Sequence, residues 1–112
     1  MRFMAEMIKI ETDVLDNTGE AVPLYVYQTV SLFGERVAIT DGGYFIEDLL
    51  NAKGQERLCD ADIRRIQQLL KGTPMTFDMR NQTLQLKCSI KKADANITLA
   101  TKVLKGLQIA TK

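Results

Sequence analysis

Between residues 7 and 15 apolar and charged side chains alternate, with Ile8, Ile10, Thr12 and Val14 on one side and Lys9, Glu11 and Asp13 on the other. That period of two predicts a half-buried β-strand. The turn cluster Asp16-Asn17-Thr18-Gly19-Glu20 closes it. Residues 22–31 are rich in β-branched and aromatic types, among them Val22, Leu24, Tyr25, Val26, Tyr27, Thr29 and Val30, and read as a second strand. Pro23, near its start, lacks an amide hydrogen, which points to a sheet edge. Phe33-Gly34-Glu35 turns the chain into a third strand over 36–40. Three strands joined by short turns predict an antiparallel meander.

The period changes after residue 40. Asp41-Gly42-Gly43 forms a sharp corner, with two adjacent glycines supplying the backbone freedom. A short helix follows from Tyr44 to about Asn51, with Phe45, Ile46, Leu49 and Leu50 on one side and Thr40 or Asp41 as its cap. After the loose stretch 52–56, Asp60 is the expected N-cap of a second helix, with Asp62 in its first turn. Ile63, Ile66, Leu69 and Leu70 form the buried stripe of that helix, and Gly72 and Pro74 stop it. Met75, Phe77 and Met79, then Leu84, Leu86, Cys88 and Ile90, alternate with polar residues around Arg80-Asn81-Gln82 and predict a hairpin. The last element, over 92–110, is a helix whose core stripe is Ala93, Ile97, Ala100, Leu104 and Leu107, widened by Leu99, Val103 and Ile109. Gly106 weakens that helix by about 1 kcal/mol relative to alanine, which suggests a close helix contact there. The order βββ-αα-ββ-α predicts one α+β domain over residues 1–112, an antiparallel sheet packed by two shorter helices and a long C-terminal one.

Composition narrows the chemistry. The 112 residues suffice for a single core. No apolar run approaches the roughly 20 residues that span a bilayer, and Met1–Glu6 does not read as a secretory signal, so a cytoplasmic protein with no membrane partner is expected. Histidine is absent, which removes Ser-His and Cys-His nucleophile pairs and the commonest zinc ligand. Cys59 and Cys88 lack metal-ligand spacing and are expected unpaired, with Cys88 acting as a small core hydrophobe. The net charge of +1 conceals a split: residues 1–63 hold 5 basic and 12 acidic side chains, residues 64–112 hold 10 and 2. Such a split marks either a charged partner surface or two halves that attract each other.

Ile39-Thr40-Asp41-Gly42-Gly43-Tyr44-Phe45-Ile46-Glu47-Asp48-Leu49 resembles the most recognisable segment of a prokaryotic and phage family, the domain of unknown function numbered eighteen-twenty-eight. In that family a meander runs into an Ile/Leu-Thr-Asp-Asp-Gly-Tyr-x-Ile-x-Asp-Leu corner. Gly42 stands where the family carries a second acid. The resemblance implies the same element order and a bacterial or phage protein associated with mobile elements.

Four chemical readings follow. Asp41, Glu47 and Asp48 cluster at the glycine corner and suit either Mg²⁺ or, more simply, the positive end of their own helix. Asp78, Gln85 and Lys87 share the wet face of the hairpin and match in part the acid, acid-x-Lys pattern of Mg²⁺-dependent nucleases. Arg64, Arg65, Lys71, Arg80, Lys87, Lys91, Lys92, Lys102 and Lys105 would bind nucleic acid if they shared one face. Glu11, Asp13, Asp16, Glu20, Glu47 and Asp48, with Tyr25 and Tyr27 as interface anchors, would instead present a phosphate-like surface to a basic groove on a protein partner. The last is the preferred expectation: a non-catalytic, cofactor-free protein-binding domain, an anti-CRISPR-like stoichiometric inhibitor of a host nucleic-acid-handling defence system. Nucleic-acid binding by the basic C-terminal half is the alternative, and a Mg²⁺-dependent nuclease the further one.

Overall fold

The N-terminal strands pair as their turns demand. β1 (Met7–Leu15), β2 (Ala21–Ser31) and β3 (Gly34–Thr40) form the antiparallel meander. The chain then runs through α1 (Tyr44–Lys53) and α2 (Asp60–Leu70) before returning in the hairpin β4 (Thr76–Asp78) and β5 (Thr83–Ser89). A 3₁₀ turn, Ile90–Lys92, leads into the long α3 (Ala93–Thr111). This computed structural model describes residues 7–31 and 34–111; Phe33 of the expected turn and the 1–6 segment lie outside them. The sheet order is β1-β2-β3-β5-β4, antiparallel throughout. The fold is α+β, a five-stranded sheet with three helices.

Side chains that alternate toward the helices make the core. Leu24, Val37, Ile39, Leu84 and Leu86 from the sheet meet Phe45, Ile46, Ile66, Leu70, Ala100, Leu104 and Leu107 from the helices. Burying each large aliphatic side chain contributes about 1.5–3 kcal/mol, so this shared layer holds the helices on one face of the sheet. Cys88 joins the layer as a buried free thiol, and Cys59 is a free, exposed one.

Several expectations give way here. Pro23 is not on an edge strand, since β2 lies between β1 and β3. It is tolerated because β3 pairing begins only at Tyr25, and because regular β1 pairing ends at its partner Glu11 before a register shift. The N-cap of α2 is Cys59, so Asp60 is already helical. Leu69 is 42% exposed and Ile109 76% exposed, because α2 and α3 each bury one narrow stripe against the sheet and each other. Gly106 has no neighbour within 4 Å of the position a Cβ would take, so it marks no close contact. Ile90 leaves the strand for the 3₁₀ turn. Ile8 shares the helix-facing side with Val26, yet is 57% exposed, and the hydrogen bonds from α3 to β1 fall at the other end of the strand, at Asp13 and Leu15.

Candidate functional site

The corner after β3 is built around one side chain. Asp41 is 0% exposed, and its carboxylate accepts hydrogen bonds from the backbone N–H groups of Gly43 (3.0 Å), Phe45 (2.9 Å) and Leu84 (2.9 Å). Its own N–H donates to the Leu84 carbonyl, which also accepts the Thr40 hydroxyl. Asp41 therefore caps α1 and extends the β3–β5 ladder at once, while the helix N-cap itself is Gly43 in the left-handed region. Burial pushes its carboxyl upward from the usual range, opposed by the three N–H donors. With both oxygens used inside the fold, Asp41 faces no ligand. Among the described residues no group of three or more acidic, Cys or His side chains is arranged to hold a metal ion.

The other acids of the corner lie nearer the surface, with Glu20 and Glu47 exposed, Asp48 half-buried and Asp16 only 9% exposed. Asp16, in the β1–β2 turn, accepts bonds from the Thr18 N–H (2.8 Å), the Thr18 hydroxyl (2.7 Å) and the Glu20 N–H (2.9 Å) on Oδ1. Its Oδ2 accepts a short bond from the Tyr44 hydroxyl at the start of α1. Tyr44 and then Thr18 hold the Asp16 carboxyl well below the usual carboxylate range, and Asp16 in turn pushes the Tyr44 hydroxyl up to about 12. Asp48 accepts from the Asn17 side-chain amide (2.8 Å) and, more loosely, from its backbone N–H. The turn and the helix are thus laced together, and Asp16, Glu20, Glu47 and Asp48 border one cleft of about 270 Å³ floored by Tyr44. Beside it runs a groove of about 490 Å³, where Asp16, Asn17 and Asp48 adjoin Leu15, Phe45, Leu49 and Ala52.

Four of the eight predicted partner-binding residues meet at this cleft. The other four do not. Glu11 lies opposite Pro23, and Tyr25 and Tyr27 lie on the sheet face away from the helices. Asp13 is redirected by the register shift in β1 and pairs with Lys105 of α3 at 2.8 Å. The basic residues are divided as well: Arg64 and Arg65 are on α2, Lys91 and Lys92 in the 3₁₀ turn, Lys102 and Lys105 on α3, and Lys87 on the opposite sheet face. Lys71 follows α2, and Arg65 donates to the Ala110 carbonyl. On the hairpin, Asp78 is engaged by the N–H groups of Arg80 and Asn81 and the Asn81 amide, the bonds of a turn.

No protein-family model matches the chain, and no curated protein or solved structure matches it either. Tyr44, Asn17 and Thr18 were not legible as site residues, although Asp-x-Thr-x-Glu after a strand is the signature of a side-chain-closed turn.

Proposed function

We propose that the chain is a non-catalytic, cytoplasmic protein-binding domain of phage or mobile-element origin, which inhibits a host nucleic-acid-handling defence system stoichiometrically by offering the acidic cleft to a basic surface. The observation that carries this reading is the convergence of Asp16, Glu20, Glu47 and Asp48 on one cleft from two distant segments. Asp16 and Asp48 are fixed by hydrogen bonds, so little side-chain freedom is lost when a partner arrives. Glu20 and Glu47 are exposed and available to cationic side chains. The adjoining groove would take an apolar side chain next to those cations.

The test is a tagged pull-down from bacterial lysate, half of it nuclease-treated, comparing the wild-type chain with Glu20→Lys/Glu47→Lys. Both positions are exposed, so the fold tolerates the change. A protein partner that survives nuclease treatment and is lost from the variant supports the reading. If every captured protein is retained by the variant or vanishes with nuclease, the reading is overturned.

A further inference from the structure

The sheet face opposite the helices carries a second constellation. Strand register sets Lys9, Tyr25, Thr40, Gln85 and Thr76 in one row across five strands, and Met7, Tyr27, Ala38 and Lys87 in the next. Arg36 follows between Thr29 and Ser89. Among the described residues no helix packs on this side, since the helical core residues all meet the other face. Tyr25 and Tyr27 are half-buried, about 7 Å apart along one strand, and point the same way. Tyr25 is braced: its ring lies 3.0 Å from where a Cβ on Gly42 would be. Ala38, between Tyr27 and Lys87, is only 1% exposed, so the neighbouring side chains close over it.

We infer that this face is a platform for single-stranded nucleic acid. Two tyrosine rings on a rigid sheet provide stacking surfaces for unpaired bases, and stacking of this kind is tolerant of sequence. Lys9, Arg36 and Lys87 surround the rings and make no ion pair among the described residues, so they complement a phosphate backbone. Thr40 and Gln85, in the Tyr25 row, offer hydrogen bonds to base edges. Glu11 and Asp78, the acids on this face, fall one row beyond Tyr25 on the side away from Tyr27, so the cations nearest the rings are left to favour a polyanion over a neutral protein surface. A duplex buries its base faces and cannot use the rings. The acidic cleft is a separate surface, so both can be tested in one chain.

The experiment titrates the full chain with labelled twelve-nucleotide oligo-dT and oligo-U, and with a duplex of equal length, read by anisotropy and by tyrosine fluorescence. The chain has no tryptophan and three tyrosines, so stacking on Tyr25 and Tyr27 quenches most of the intrinsic signal. Expected are preference for single strands, quenching on binding, and a log–log salt slope of about −2 for three phosphate contacts. Tyr27→Ala should weaken binding about tenfold or more, while Tyr27→Phe retains it. Lys87→Glu should weaken it and reduce the salt slope. Tyr27→Phe and Lys87→Glu leave the core untouched and guard against a mere folding defect. No single-strand binding at low salt overturns the inference, as does equal duplex binding or a Tyr27→Ala variant that binds like wild type. A protein partner lost on Tyr27→Ala, with no oligonucleotide binding, overturns it in favour of protein recognition.

Discussion

Asp41 and Asp16 are five-and-twenty positions apart in the chain and opposite in electrostatic character, and the difference lies in what surrounds each carboxylate. Asp41 is sealed in and served by N–H donors alone. Replacing it by alanine strands the buried Phe45 and Leu84 amides, so Asp41→Ala should lower unfolding free energy by about 3 kcal/mol, read as a lower urea midpoint. Asp16 sits at the cleft, and its depressed folded value makes its contribution present above the unfolded value of about 4 and lost as pH falls through the folded one. Asp16→Asn should therefore flatten the loss of stability below about pH 4, measured by urea midpoints across that range. Tyr44 has the reverse sign in base. Its folded value of about 12 means that its contribution, present below the unfolded value of about 10, is lost as pH rises between the two. An ultraviolet titration should show a tyrosine ionising near 12 that Tyr44→Phe removes.

At the scale of elements, the glycines separate backbone need from helix weakness. Gly42 has φ +66° and lies under the Tyr25 ring, so a methyl group there meets both strain and a collision. Gly42→Ala should destabilise the chain by about 1–2 kcal/mol. Gly106 is exposed in α3 with open space around it, so Gly106→Ala should stabilise by about 1 kcal/mol. Thermal unfolding of the two variants should move Tm in opposite directions. The helices and strands themselves were readable in the sequence because their apolar periods are regular, as in Leu84, Leu86 and Cys88 of β5. The stripes of α2 and α3 read too wide, since a helix pattern records which positions can be buried. Leu69 and Ile109 are left outside because no neighbour reaches them.

For the whole molecule, the division of charge between the two halves is not cancelled by pairing. Among the described residues Lys105–Asp13 is the ion pair joining them, and it is exposed. Lys53–Asp62 lies within the acidic half. An exposed pair contributes about 0–1 kcal/mol, so Lys105→Ala should shift the urea midpoint little and added salt should change stability only slightly. The charge is thus left on the surfaces. Four of the twelve acids of residues 1–63 meet at the cleft, whereas the positive part is spread over α2, the 3₁₀ turn, α3 and the far face of β5. No helix of the described chain is long and apolar enough to cross a membrane.

The sequence by itself determined the elements, their order, the meander, the hairpin and the glycine corner, because each rests on local periodicity or turn chemistry acting within a few residues. Alternation along β2 is local too, and it sets Tyr25 and Tyr27 on the side opposite Leu24 and Val26. Only the tertiary structure decided that β5 pairs with β3, and so that Asp41 is enclosed by Leu84, forty-three positions away. It alone brought the Asp16 turn against Tyr44 and Asp48, and set Lys87 and Arg36 beside the tyrosines. Those neighbours are fixed by strand register and helix docking, which depend on the shared core rather than on any one segment.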